Sequence, residues 1–157
     1  MSKSLKRVRA ALDAAGLATQ IVETPLARTA ADAAQAIGCE IDQIAKSIIF
    51  RGADSGRAIL FITAGANTVD ADKAMQVAGE ALGKADAALI RAQTGFAIGG
   101  VSPVGHLTPI AAYFDARLSD FDVVWAAAGT PHHVFCANPG DLRRISGAQD
   151  ADFTSQN

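Results

Sequence analysis

One lysine and one glycine-rich loop carry most of the chemical signal in this sequence. Lys46 sits within Ile44-Ala-Lys-Ser-Ile-Ile-Phe50, a run rich in β-branched residues that reads as a strand. Alternation along a strand puts Ile44, Lys46, Ile48 and Phe50 on one face, and Ala45, Ser47, Ile49 and Arg51 on the other. A lysine in an apolar row has two readings. Either its stem lies along apolar surface while the ammonium reaches water at the strand end, or the ammonium is aimed into a pocket to hold an anion or a polarised oxygen. The second signal is Gly99-Gly-Val-Ser-Pro-Val-Gly105. Its glycines allow close backbone approach and Pro103 stiffens one arm, so the loop can offer N–H groups to a carbonyl or phosphate. A plain tight connection is the alternative. It is neither a Walker A loop nor a dinucleotide fingerprint.

The other polar residues point to less. His132 and His133 are adjacent, so on a strand they face opposite ways, and His106 stands alone beside the loop. Cys39 and Cys136 lie far apart with no paired-cysteine motif. No ligand spacing for a metal is present, and no cofactor is expected. There is no Gly-x-Ser-x-Gly elbow and no cysteine-protease signature, so neither a serine nor a cysteine nucleophile is evident. Asp70 and Asp72 read as helix-start residues.

The elements that must position Lys46 and the loop follow from periodicity and punctuation. A helix is expected over residues 4–15, stopped by Gly16, then a short strand from Gln20 to Thr24. Thr29-Ala-Ala-Asp32 has capping-box spacing for a second helix ended by Gly38. The Lys46 strand and Ala58 to Thr63 form a hairpin across Gly52 to Gly56. Helices are expected from about Asp70 to Ala78 and from Asp86 to Gly95. Strands follow at Ile110 to Asp115, Val123 to Ala127 and His133 to Ala137. Asn138-Pro139 opens a last helix that Gly147 stops. The expectation is one α+β domain over residues 1–148, with a mixed, partly barrel-like sheet flanked by helices. Residues 149–157 read as a polar C-terminal tail that frays.

Bulk composition narrows the function class. The chain has 157 residues, is 50% hydrophobic and carries a formal charge of −2, which excludes a strongly basic nucleic-acid wrapper. Aromatics make up only 6%, too few for a broad single-strand stacking platform. Lys3, Lys6, Arg7 and Arg9 decorate the first helix, either as a solvated face or as a phosphate-contacting patch. The N-terminal stretch lacks the apolar core of a secretory signal, and no apolar run reaches membrane-spanning length. No membrane contact is expected, and the cytoplasm is the expected compartment.

Several of these segments, in this order, resemble the YbaK-type editing domain associated with bacterial prolyl-tRNA synthetase. The resemblance lies in Arg28-Thr-Ala-Ala-Asp-Ala-Ala through Phe50, in Thr94-Gly-Phe-Ala-Ile-Gly-Gly-Val-Ser-Pro103, and in Ala128-Gly129 followed by Asn138-Pro-Gly-Asp-Leu142. It implies a stand-alone trans-editing deacylase that hydrolyses the ester of mischarged aminoacyl-tRNA. By position, Lys46 matches the essential lysine, and Ser47 the polar neighbour that shapes the site. Gly99, Gly100, Val101, Ser102 and Pro103 match the loop that holds the substrate near its carbonyl. Gly129 matches a glycine on the facing strand, with Thr130 and His133 beside it as substrate-binding candidates. Water attack assisted by the terminal ribose hydroxyl is implied.

Two departures bear on substrate choice. Ala127 stands where some members carry Ser or His, and Thr130-Pro-His-His133 differs from the cysteine-editing members. The implied substrate is tRNA for proline carrying alanine or 2-aminobutyrate, with cysteine next. The implied partners are the acceptor end of aminoacyl-tRNA, and prolyl-tRNA synthetase or translation factors, with no DNA. A noncatalytic tRNA- or synthetase-binding module of the same fold is the alternative.

Overall fold

The computed structural model describes residues 2–155. It contains an N-terminal helix α1 (Lys3–Ala14), strand β1 (Ile21–Glu23), helix α2 (Ala30–Ile37) and a 3₁₀ turn (Ile41–Gln43). The hairpin β2 (Ala45–Gly52) and β3 (Ala58–Ala64) follows, then α3 (Ala71–Ala78), β4 (Leu82–Lys84) and α4 (Ala87–Thr94). After the glycine-rich loop come β5 (Ala111–Phe114), a second 3₁₀ turn (Ala116–Asp120), β6 (Val124–Ala127), β7 (His133–Ala137), α5 (Pro139–Ser146) and β8 (Gln149–Asp150).

Two sheets result, ordered β1-β7-β6 and β4-β2-β3-β5-β8. The larger is mixed: β2 is antiparallel to β3 and β4, while β3–β5 and β5–β8 are parallel. A single parallel bridge between Ile44 and Trp125 joins the sheets. The arrangement curls without closing into a barrel. All seven residues of β3 are buried, which explains its unbroken apolar run. One face of the large sheet, with Leu60, Ile62, Ala112 and Phe114, packs on Leu5, Val8 and Leu12 of α1 and on Phe135 of the small sheet. The other face, with Ile59 and Phe61, packs on Ala74 of α3 and on Phe153.

Local chemistry sets the helix ends. Thr29 accepts from Asp32 N at 3.1 Å, so the hydroxyl half of the expected capping box forms. Asp70, Asp86 and Asn138 cap their helices in the same way.

The tail departs from expectation. From Gln149 to Ser155 it does not fray: β8 pairs with β5, and Ser155 N donates to Thr68 O at 2.9 Å, while residues 156–157 lie outside the described residues. Phe153 is fully buried, with its ring centroid 4.9 Å from that of Phe61. One aromatic among polar neighbours supplies enough apolar area to pin the segment, so the domain continues past residue 148. The three-residue strand β4 was also unexpected. Its Leu-Gly-Lys sequence has no strand pattern, and pairing with the end of β2 creates it.

Candidate active site

The unpaired edge of β2 is where the site forms. Strand β4 covers only Phe50 to Gly52, and the bridge to β6 touches only Ile44, so among the described residues no strand covers that edge from Ala45 to Ile49. A cavity of about 520 Å³ opens along it. The start of α2, the ends of β6 and β7, and Gly99 complete its walls. That volume lies in the ordinary range for small-molecule sites.

Lys46 lines the cavity and is half-buried. Its Nζ donates to Gly65 O at 3.0 Å, which leaves further donor capacity on the ammonium. Burial pushes its pKa below the ordinary lysine value, while the Asp42 and Asp115 carboxylates pull it the other way. Those same carboxylates build the turn that Lys46 touches. Asp115 accepts from Ala64 N at 3.0 Å and from Asn67 Nδ2 at 2.9 Å, and Asp42 accepts from Ala66 N at 2.8 Å. The ammonium is thus anchored to a carbonyl on a braced turn.

Ser47, Gly99, Val101, Thr130 and His133 line the same cavity. The Ser47 hydroxyl is buried and has no protein hydrogen-bond partner among the described residues. Thr130 Oγ1 lies 2.7 Å from His133 Nδ1 and also accepts from His132 N at 3.1 Å, which orders the β6–β7 turn.

Four expected site residues lie behind the wall. Gly100 is buried against Thr130, where an added Cβ would come 2.7 Å from that residue's Cα. Ser102 is fully buried, its hydroxyl accepting from Val104 N at 3.3 Å, and Pro103 is buried beside it. Gly129 packs under α1, where a Cβ would sit 2.9 Å from Ser4 O. They shape the loop and turn from within. The glycine spacing in the sequence could not separate the exposed Gly99 from these buried neighbours.

The cavity also recruits residues not singled out for the site. Arg28 and the α2 residues Ala30, Ala31 and Ala33 border it, with Trp125 on the facing strand two residues from Ala127, which the sequence already marks for substrate choice. Arg28 makes no hydrogen bond or ion pair among the described residues. It stands directly before a helix cap, which is the sequence signal that could have placed it. The basic stretch of α1 also divides. Arg9 Nη1 donates to Thr19 O at 2.7 Å and Arg9 pairs with Asp13, while Arg7 reaches Gly95 O. Lys3 and Lys6 remain exposed. Among the described residues no three His, Cys, Asp or Glu side chains gather as metal ligands, and no helix is long and apolar enough to cross a membrane.

Comparison with known proteins bears on this geometry. The model of the aminoacyl-tRNA editing domain matches residues 24–145. The uncharacterized protein YwhH of Bacillus subtilis (strain 168) is 33% identical over 118 residues, covering 75% of this chain and 74% of its own. A solved structure of a candidate trans-editing enzyme for prolyl tRNA synthetase superposes with a TM-score of 0.91 at 46% identity, over 99% of each chain. A scaffold protein from computational epitope grafting superposes at 0.92 with 44% identity, over 99% of this chain and 100% of its own. With its lysine and glycine loop meeting across one cavity, this chain belongs to the aminoacyl-tRNA editing domain family.

Proposed function

We propose that the protein is a stand-alone trans-editing deacylase for tRNA charged with the wrong amino acid. Its substrate is tRNA for proline carrying a small residue: alanine, 2-aminobutyrate or cysteine. One observation carries the reading. The Lys46 ammonium and the Gly99 loop share a cavity bordered by Ala27, Ala30, Ala31, Ala126 and Ala127, in a chain of the editing family. The reaction takes place in the cytoplasm, and the partners are the acceptor end of tRNA and, through it, prolyl-tRNA synthetase.

Each part has a task in ester hydrolysis. Lys46 holds the anionic terminal nucleotide, since a charge-assisted contact is stronger than a neutral one. The Gly99 and Val101 backbone supplies donors for the oxyanion that develops at the ester carbonyl. Gly100, Ser102 and Pro103 keep that backbone in place from inside. Water attacks directly, its proton taken up with help from the ribose hydroxyl, and the carboxylate and the free tRNA hydroxyl leave. Ser47, Thr130, His133 and the Gly129 turn shape the aminoacyl end.

Alanine-lined walls exclude large side chains by steric clash. They discriminate weakly among small ones, because one methylene is worth about 1–3 kcal/mol. Proline is refused because its ring meets the stiff loop. The test is to measure hydrolysis of alanyl-, 2-aminobutyryl-, cysteinyl- and prolyl-tRNA for proline side by side. Rapid loss of the small-residue esters with the prolyl ester spared is expected. Loss of prolyl ester at a matching rate would defeat the editing reading. Tight tRNA binding without turnover would make the protein a noncatalytic module.

A further inference from the structure

We propose that Arg7, on α1, is a positioning residue for the Gly99 loop. The kinetic part of this proposal rests on the deacylase reading. The loop leaves α4 at Gly95 and returns at Gly105, and one guanidinium holds both ends. Arg7 Nη2 donates to Gly95 O at 2.7 Å, and Arg7 Nε donates to Gly105 O at 3.2 Å. The guanidinium carbon also lies 4.7 Å from the ring centroid of the fully buried Phe96. A planar fork of donors fixes two carbonyls in one relative geometry while stacking on a ring, which a lysine ammonium cannot reproduce.

The loop ends pack closely on Arg7, Gly95 against its guanidinium and Gly105 against its main chain. Gly95 and Gly105 have φ of 82° and 81°. A Cβ at Gly95 would collide with Arg7 Nη2, and one at Gly105 would come 3.3 Å from Arg7 O. Backbone bonds from Leu107 N to Thr94 O and from Thr108 N to Gln93 O close the loop on itself. Within it, His106 Nε2 lies 2.7 Å from Ser102 O. Arg7 ties this closed unit to α1, whose Leu5, Val8 and Leu12 are buried in the core. It thereby sets where Gly99 stands relative to Lys46. Arg7 lies outside the segment matched by the family model, residues 24–145.

The experiment has two arms on the full-length protein. The first follows hydrogen exchange of amides 97–105 without substrate in wild type, Arg7→Lys and Arg7→Ala. Faster exchange confined to the loop is expected in both variants, with protection in Arg7→Ala restored by methylguanidinium. The second measures deacylation of alanyl-tRNA for proline. Arg7→Ala should lower kcat by up to about 100-fold, the effect of a displacement near 1 Å at a reacting centre. KM should stay within about threefold, because transition-state geometry and not uniform binding is lost. Methylguanidinium should recover part of the rate. If Arg7→Ala does not fold, Arg7→Lys carries both arms. Unchanged loop exchange, or a raised KM with intact kcat, would overturn the proposal, the latter placing Arg7 on the tRNA. A wild-type protein that fails to deacylate would remove the deacylase reading, while the exchange arm still decides the positioning role.

Discussion

Replacing Ser47 by alanine should make the protein more stable and slow the deacylation proposed for it. The Ser47 hydroxyl is buried on the inner face of β2, opposite Ile62, with no protein partner among the described residues. A buried hydroxyl left unsatisfied costs about 1–3 kcal/mol in desolvation, and alanine keeps the Cβ, so little cavity is created. The free protein should therefore gain up to about 1 kcal/mol, raising Tm by up to about 2–4 °C for a chain of this size. On the proposed deacylase reading, the same hydroxyl contacts the aminoacyl end in the substrate complex. Its loss there should cost about 1–3 kcal/mol, or roughly 5- to 150-fold in kcat/KM, depending on whether its partner is neutral or charged. Calorimetry and deacylation of alanyl-tRNA for proline on one preparation read both effects. Opposite signs are the signature of a group kept for substrate at the expense of stability. A variant that is less stable, or that turns over at the wild-type rate, would refute the reasoning.

Other perturbations test the remaining parts. Lys46→Ala should fold and lose about 2–4 kcal/mol of transition-state stabilisation, so a folded variant with the wild-type rate would remove the lysine from the site. Burial lowers the His106 pKa, with the Arg7 charge adding to the effect and the hydrogen bond to Ser102 O opposing it. The unfolded chain therefore binds more protons in mild acid, and stability should fall as pH drops below about 6.5. His106→Gln should flatten that dependence, and superimposable curves of Tm against pH would refute the assignment. Phe153→Ala should cost about 3–5 kcal/mol because its ring is fully buried. Urea unfolding with an unchanged midpoint would show that the tail contributes nothing.

Local elements were legible in the sequence because their signals are local. Thr29, Asp70, Asp86 and Asn138 announce helix starts, and Gly38, Gly79, Gly95 and Gly147 end those helices at positive φ. The Lys46 strand and its hairpin partner follow from β-rich runs around a polar turn. What could not be read depends on distant partners. Arg7 and Arg9 look like any basic face until Gly95, Gly105 and Thr19 are brought to them. Ser102 and Gly99 share one loop motif, yet only packing decides that one turns inward and the other lines the cavity. Phe153 looked like part of a polar tail because the face that receives it comes from β3 and α3.

The bare edge of β2 has an evolutionary consequence. A wall made of main chain offers donors and acceptors that do not change when side chains do. On the proposed editing reading, substitutions at Ala127, Trp125 or the α2 alanines would therefore retune which small acyl group is accepted while leaving the backbone hooks intact. The same exposure carries a hazard, since an unpaired edge is a template for strand addition from another molecule. Here α2 and the Gly99 loop border the edge and Lys46 places a charge on it, so the features that make the pocket also guard the protein against self-association.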